Sequence, residues 1–135
     1  AISIIADLYK TEVWELSKYI NNQFLEENPS STTLPIPENS ITKAPSAELR
    51  PGQKDTDSLP DYPILDRIVK EYLENCKTTE EILNDFEKDS LHVEKQTIEK
   101  VIRLVKINEW KRRQCPTAIK LTNSCFGIDR KVPIS

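Results

Sequence analysis

Three side chains stand at positions where they could handle an anion: Lys10, Ser46 and Lys111. Lys10 lies just before a predicted helix that follows a short apolar, β-branched segment at the beginning of the sequence. The amides at a helix N-terminus and the helix dipole attract anions, and a lysine there adds a point charge. A lysine in a first helical turn is also a common surface residue, so both interpretations stay open on this feature alone.

Ser46 lies in the segment Lys43–Glu48, which reads KAPSAE. A hydroxyl and backbone donors on a proline-rigidified turn can bind a phosphate while the loop closes. The surrounding stretch 28–60 holds six of the nine prolines, which block any helix longer than two turns. Connections of this length are usually lids, binding loops or linkers, and the mixed charges of the stretch favour a ligand-handling loop. A disordered polar linker is the alternative.

Lys111 belongs to the segment 109–114, EWKRRQ, in which a tryptophan precedes three consecutive cations. Such a segment can bind phosphate or carboxylate, stack on a base, or end a helix favourably through its dipole. The single histidine, His92, is expected at the surface or at a cap. Gly-rich phosphate loops, His-Glu-x-x-His and Cys/His clusters are absent from the sequence, so we assign no catalytic residue and no metal ligand.

The elements that must position these residues are mainly helical. Apolar spacing predicts a strand over 1–5 and a helix over 11–25, capped by Asp7 or Thr11, with Leu16 and Ile20 on its apolar stripe. Further helices are predicted over 61–75, 78–89 and 93–113, and an irregular tail over 117–135. The second of these begins with a capping box formed by Thr78 and Glu81.

Composition narrows the class of protein. The 135 residues suit one domain, and the sequence has no apolar run long enough for a membrane span. The net charge is −3, with a basic section after residue 100 on an acidic body, which argues against nucleic acid as a partner. An odd count of three cysteines without a Cys-x-x-Cys pair is typical of reduced thiols in a cytoplasmic protein.

The single predicted strand indicates that the chain is part of a larger domain. An apolar strand that enters a helix is half of a βα unit, so we expect its parallel neighbours upstream, outside this chain. The chain would then be a fragment of a larger α/β domain. A self-contained alternative is a small helical interaction module over 61–113, whose basic helix end binds an acidic partner.

Several segments together resemble NAD synthetases. YKTEV at 9–13, KAPSAELRPGQ at 43–53, DSLP at 57–60 and NEWKRRQ at 108–114 occur in the order found in that family. The ending CFGIDRKVPI at 125–134 is similar to that of the bacterial glutamine-dependent form. The resemblance covers nearly the whole chain, and it is weakest over 75–93.

The resemblance implies an enzyme that adenylates deamido-NAD with Mg²⁺-bound ATP and then amidates it, giving NAD, AMP and pyrophosphate. The ammonia would come from glutamine through an amidohydrolase (glutaminase) domain. It implies ATP-binding roles for Lys10 and Ser46, a deamido-NAD-binding role for Lys111, and a nucleotide-closing role for the loop 28–60. The fold implied is the helical C-terminal portion of an α/β ATP-pyrophosphatase-like domain, Rossmann-like and of the adenine nucleotide alpha hydrolase type.

This sequence lacks the Ser-Gly-Gly-x-Asp-Ser phosphate loop, the acidic magnesium ligands and the glutaminase domain of that family. We therefore expect residues 1–135 to be the C-terminal part of a synthetase domain, inactive alone, with the rest of the enzyme upstream. By resemblance the whole enzyme is a cytoplasmic homo-oligomer.

Overall fold

The computed structural model describes residues 2–43, 45, 51–114, 116–125 and 129, with only the backbone of Arg112. The described chain is mainly helical and divides into two compact units, one over Tyr9–Leu59 and one that joins Ala1–Leu8 to Pro60–Ser135. The elements in chain order are β1 Ile2–Ser3, α1 Lys10–Glu27, α2 Glu38–Thr42, a 3₁₀ turn Asp55–Asp57, α3 Tyr62–Leu73, α4 Thr79–Lys88, α5 Lys95–Ile107, α6 Glu109–Arg113 and β2 Thr117–Ala118. No helix in the described part is long and apolar enough to cross a membrane.

Helices α3, α4 and α5 enclose the hydrophobic core of the unit that contains residues 60–135. Their apolar residues recur every three or four positions, so each helix presents one apolar stripe to the other two. The buried members of this core are Ile68, Ile82, Phe86, Val93, Ile98, Val101 and Ile102. The three predicted helices of this region are therefore confirmed as packed helices, with one change at the end of the last.

Both ends of α4 show why the helix occupies these residues. At its start the Thr78 amide donates to the Glu81 carboxylate at 2.8 Å and the Glu81 amide donates to the Thr78 hydroxyl at 3.3 Å, as the capping-box pattern predicts. At its end Ser90 adopts a positive φ of 58°. The amides of Ser90 and Leu91 donate to the carbonyls of Glu87 and Phe86, which is the Schellman arrangement of a helix end.

The predicted long helix over 93–113 is interrupted at Asn108. The Asn108 side chain donates to the Leu104 carbonyl at 2.8 Å, and its backbone amide donates to the same carbonyl at 3.0 Å. An asparagine that bonds to the preceding turn in this way competes with helix continuation. The helix therefore ends at Ile107, and the short helix α6 begins at Glu109.

The prediction about the first strand is wrong in two respects. The strand covers Ile2–Ser3 rather than residues 1–5, and it has a parallel neighbour within the chain. β1 pairs with β2, with Ile2 opposite Thr117 and Ser3 opposite Ala118. The tail predicted to be irregular thus supplies a strand, which two residues are too few to reveal by alternation of polarity.

The predicted caps of α1 are also wrong. The helix begins at Lys10, and Tyr9 is the residue before it, whose amide donates to the Glu12 carboxylate at 2.9 Å. Asp7 is engaged elsewhere, because its carboxylate accepts from the amides of Leu121 and Thr122. The sequence could not show this, since more than a hundred residues separate the partners.

In the unit 9–59, the loop after α1 is fastened to the helix by Asn21. The Asn21 amide group donates to the Ile36 carbonyl at 2.9 Å, and its oxygen accepts from the Ile36 amide at 3.1 Å. The described residues of the stretch 28–60 contain α2 and the 3₁₀ turn, and neither is longer than the predicted limit of two helical turns. Of the apolar stripe predicted on α1, Val13 and Phe24 are half-buried, whereas Leu16 and Ile20 are 39% and 38% exposed.

Candidate functional site

Lys10 is the first residue of the 18-residue helix α1, where the sequence placed a candidate phosphate ligand. Its side chain is half-buried, and its ammonium nitrogen lies 5.5 Å from the centroid of the Trp14 ring. A cation at that distance from an indole is held by the ring's quadrupole. The first-turn amides and this ammonium can attract an anion, and the Glu12 carboxylate in the same turn offsets part of their positive charge.

Trp14 is a residue that the sequence argument missed. Besides contacting Lys10, it lines a shallow cavity of about 180 Å³ together with residues of the following loop. The other lining residues are Lys18, Ile41, Thr42, Lys43 and Pro45. The spacing Lys10–Trp14 is one helical turn and was the available signal, because side chains at i and i+4 are neighbours on a helix.

Ser46 lies outside the described residues, as do Ala44 and the segment 47–50. The described residues on either side show how the loop is attached. Pro45 lines the cavity beside Trp14, and its carbonyl accepts from the Asp55 amide at 3.1 Å. Gly52 has a φ of +71°, a conformation that favours glycine. A backbone hydrogen bond therefore joins residues 45 and 55, and residue 45 lines the same cavity as Trp14 of the helix that begins with Lys10.

Lys111 lies on α6, in the other unit, and its side chain is exposed. Its ammonium nitrogen is 5.5 Å from the centroid of the neighbouring Trp110 ring, and that ring belongs to a residue 45% exposed. An exposed indole beside an exposed ammonium offers a flat surface and a charge together. This arrangement suits a ligand that carries both an aromatic ring and an anionic group.

Glu109, on the same short helix, is a second residue whose place the sequence did not reveal. It is 1% exposed, and its Oε1 atom lies 3.3 Å from the Nε atom of Arg113. A single glutamate before three cations carries no sequence signal of burial. The structure nevertheless buries Glu109, on the same helix as the exposed Lys111.

In the unit that joins residues 1–8 to 60–135, a cluster around Asp7 holds residues 121 and 122 of the tail. The carboxylate of Asp7, which is 4% exposed, accepts from the Leu121 amide at 2.7 Å, the Thr122 amide at 2.8 Å and the Thr122 hydroxyl at 3.1 Å. Cys125 is fully buried beside it, and its amide donates to Asp129 at 2.7 Å. Burial and then the hydrogen bond with Asp7 raise the pKa of the Cys125 thiol.

Elsewhere in this unit, Lys77 joins two carboxylates on the helical core. Its Nζ atom lies 2.7 Å from Glu71 and 2.7 Å from Asp85. Hydrogen bonds from Lys77 and Lys88 lower the pKa of Asp85 to about 2. Through Lys77 these groups connect Glu71 of α3 to Asp85 of α4, so we interpret them as structural. His92 is exposed, as the sequence predicts.

The described residues do not offer a metal site. No group of three or more His, Cys, Asp or Glu side chains in that part of the chain could hold a metal ion. Lys10, in the unit 9–59, and Lys111, in the other unit, remain candidate anion-binding residues, and each ammonium lies beside an indole ring.

The chain belongs to the NAD synthase family, whose model matches residues 1–115. The glutamine-dependent NAD(+) synthetase of Acinetobacter baylyi is 44% identical over 132 residues, which is 98% of this chain and 22% of that protein. The enzyme of the same name from Synechocystis is 38% identical over 134 residues, 99% of this chain and 21% of that protein. The resemblance inferred from the sequence is thereby confirmed, and the chain spans about a fifth of the length of these curated relatives.

A solved structure of a glutamine-dependent NAD+ synthetase from Acinetobacter baumannii, in complex with ADP, is also similar. Its sequence is 36% identical, the match covers 95% of this chain and 19% of that one, and the TM-score is 0.49. The relatives match 1–135 almost end to end, so they do not support the alternative of a self-contained helical interaction module.

Proposed function

We propose that this chain acts as part of a glutamine-dependent NAD+ synthetase, a ligase that forms a C–N bond. The reaction would adenylate the nicotinate carboxylate of deamido-NAD with ATP and then amidate it with ammonia from glutamine. The observation that carries the proposal is the 44% identity to a glutamine-dependent synthetase along 98% of the chain. Identity at that level over so long a match is typical of proteins that share both fold and site.

The exposed apolar residues around β1 support an α/β domain of the ATP-pyrophosphatase type. Ile2, Ile4 and Ile5 are 70%, 67% and 49% exposed, and β1 has a parallel partner of only two residues. Parallel strands occur almost entirely in larger sheets that are covered on both faces. We therefore propose that further strands and helices of the synthetase cover this edge, in a Rossmann-like sheet.

In this proposal Lys10 and Ser46 contact the phosphates of ATP. Pyrophosphate departs during adenylation, so a fixed cation and a hydroxyl at the phosphates stabilise charge that develops on the leaving group. Pro45, which precedes Ser46 in the sequence, lines the same cavity as Trp14 on the helix of Lys10, and this supports the proposal. Closure of that loop would exclude water, which otherwise hydrolyses the acyl-adenylate.

Lys111 would contact deamido-NAD, a dinucleotide that carries phosphates, a carboxylate and aromatic rings. The exposed Lys111 ammonium beside the Trp110 ring matches that chemistry. Mg²⁺ would be held by other parts of the enzyme, and no step of this proposal runs through it. The glutaminase domain, the homo-oligomer and a cytoplasmic location also belong to the proposal for the whole enzyme.

The first test asks whether the chain works alone or within a longer enzyme. The isolated chain, mixed with ATP, Mg²⁺, deamido-NAD and ammonia, should form no NAD. A restored synthetase, in which these 135 residues replace the matching segment of the Acinetobacter baylyi enzyme, should form NAD from the same mixture. NAD formation by the isolated chain would contradict the proposal, and so would a folded but inactive restored synthetase.

The second test separates the two substrates within the restored synthetase. Lys10→Ala and Ser46→Ala should raise KM for ATP, and Lys111→Ala should raise KM for deamido-NAD. Lys106→Ala, an exposed lysine in the last turn of α5, is the matched control that should change neither. Equal losses for both substrates in all three variants would refute this division of roles.

A further inference from the structure

Lys10, the proposed contact of the ATP phosphates, lies beside an aromatic ring of its own helix. Its ammonium nitrogen is 5.5 Å from the centroid of the Trp14 ring, and both residues are half-buried. A cation within about 6 Å of an indole centroid is attracted by the ring's quadrupole, and the attraction grows as solvent is removed from the pair. The Trp14 ring is thus a partner of the ammonium that the proposed function requires at the phosphates.

An indole ring can hold an ammonium in place without neutralising it. Lysine ends in a compact charge on a flexible four-carbon stem, so ordering that stem against a ligand costs conformational entropy. A carboxylate partner would also order the stem, but it would compete with phosphate for the charge and for the three N–H donors. The ring has no net charge, so an ammonium that it orders still attracts an anion. Ordering before binding raises affinity, because less freedom is lost when the ligand binds.

The chain after α1 returns to the side of that helix on which Trp14 lies. Lys10, Trp14 and Asn21 are separated by four and seven residues, so they lie within about 40° of one another around a helix of 3.6 residues per turn. The Asn21 side chain donates to the Ile36 carbonyl at 2.9 Å and accepts from the Ile36 amide at 3.1 Å. Trp14 lines the cavity of about 180 Å³ together with Pro45. The half-buried indole is therefore flanked by a segment that is fastened to the same helix.

We propose that Trp14 is a positioning residue, whose indole ring holds the Lys10 ammonium in place for the phosphates of ATP. This inference rests on the proposed function of Lys10. Trp14 itself touches no phosphate in this scheme and acts through the lysine one helical turn before it. A stronger attraction between ring and ammonium then gives tighter binding of ATP, and it does not affect deamido-NAD, whose proposed contact is Lys111.

The test varies the ring in the restored synthetase and measures KM for both substrates. Trp14→Leu removes the quadrupole, so KM for ATP should rise about tenfold, which corresponds to an attraction of about 1.4 kcal/mol. Trp14→Phe keeps a weaker quadrupole, so its KM for ATP should lie between those of Trp14→Leu and the parent. KM for deamido-NAD should stay unchanged in both variants. Tyr19→Leu, which removes an exposed aromatic residue of α1, is the matched control and should change neither constant.

Fluorination separates the electrostatics of the ring from its shape. Tetrafluorotryptophan, introduced at position 14 alone by nonsense suppression, keeps the outline of the indole and weakens the quadrupole that attracts a cation. It should raise KM for ATP about threefold or more. Lys10→Met keeps the length of the side chain and removes its charge. In that background the fluorinated ring and Trp14→Leu should each add less than about twofold, because the ammonium that the ring holds is gone.

The results distinguish a failure of this inference from a failure of the proposed function. If Lys10→Met raises KM for ATP but fluorination at position 14 does not, Lys10 keeps its proposed role and the ring does not act by attracting the ammonium. The inference is also wrong if the effects of Lys10→Met and Trp14→Leu multiply in the double variant. If Lys10→Met leaves KM for ATP unchanged, the proposed role of Lys10 fails and the inference fails with it.

A Trp14→Leu variant that does not fold is recognised by loss of helical circular dichroism. In that case the fluorinated ring decides, because it keeps the shape on which packing depends. A rise in KM for ATP alone, which disappears in the Lys10→Met background, supports the inference. A parallel rise in KM for ATP and for deamido-NAD would show a merely structural role and would overturn it.

Discussion

Asp7 holds the tail by hydrogen bonds to Leu121 and Thr122, and the strength of this attachment can be measured on the isolated chain without any substrate. Its carboxylate holds the Leu121 and Thr122 amides and the Thr122 hydroxyl while only 4% exposed. Cys125, three residues beyond Thr122, is fully buried. Modification of this thiol therefore requires the tail to open, so its rate reports the free energy of opening.

The expected magnitude follows from the hydrogen bonds. Each bond to a charged group contributes about 1.5–3 kcal/mol, and a buried amide left without its acceptor costs about 1–3 kcal/mol. Asp7→Ala should thus lower the free energy of opening by about 3 kcal/mol or more, which is a rate increase of roughly 100-fold. Asp7→Asn keeps one acceptor oxygen, so we expect about half that change in free energy and about a tenfold increase in rate.

The assay follows the reaction of Cys125 with a chromogenic disulfide in a protein that carries Cys76→Ser and Cys115→Ser. The raised pKa of the thiol does not confound the comparison, because modification occurs in the open state, where Cys125 has left Asp7. Asp61→Asn is the matched control. Asp61 is exposed, precedes α3 and makes no side-chain cap, so its rate should equal that of the parent.

The reasoning is refuted if Asp7→Ala changes the labelling rate by less than about twofold, since so small a factor corresponds to less than about 0.5 kcal/mol. Circular dichroism distinguishes local opening from global unfolding. The buried core of α3, α4 and α5 contains neither Asp7 nor the tail, so the helical signal should persist in the variant. If Asp7→Ala unfolds the chain, the milder Asp7→Asn provides the measurement.

Three further predictions concern the helical core. Ser90→Gly should raise the free energy of unfolding in urea by up to about 1 kcal/mol. Ser90 has a φ of 58° at the end of α4, a conformation that strains serine but not glycine. A lower free energy of unfolding would contradict this prediction. Phe86→Ala should lower it by about 3–5 kcal/mol, since the ring is 1% exposed in the core, and a change below about 1 kcal/mol would refute the packing described. The pKa of Asp85 is lowered to about 2, so its contribution to the free energy of unfolding is complete above the unfolded pKa near 4 and is lost as pH falls toward 2. Urea unfolding measured from pH 5 to pH 2 should show this decline in stability. Lys77→Met should make the decline smaller, because it removes the main hydrogen bond to Asp85.

The parts of this fold that the sequence predicts are those set by local chemistry. The capping box of Thr78 and Glu81 is four residues long and contains both partners of its hydrogen bonds. The apolar spacing that predicts the core helices needs only a few turns of sequence to become visible. The family resemblance likewise rests on contiguous motifs, which is why it precedes any knowledge of the fold.

The parts that sequence does not predict depend on contacts between distant residues. Asp7 meets Leu121 and Thr122 across 114 and 115 positions, and a pattern centred on Asp7 shows only a residue suited to a helix cap. β2 is too short to show an alternation, and Asn21 looks like an ordinary polar residue of α1 until its bonds to Ile36 are seen. Ser46 is the one candidate site residue whose position is outside the described part of the chain.

The ionic contacts of this chain differ widely in what they do. Pairs such as Lys95 with Glu80 lie at the surface, where solvent screening leaves an ion pair with little effect on stability. Asp7 is buried, and its carboxylate holds the Leu121 and Thr122 amides of the segment after β2. A buried carboxylate adds orientation more than stability, so its loss should be detected by a probe of position. For Asp7 that probe is the reactivity of Cys125.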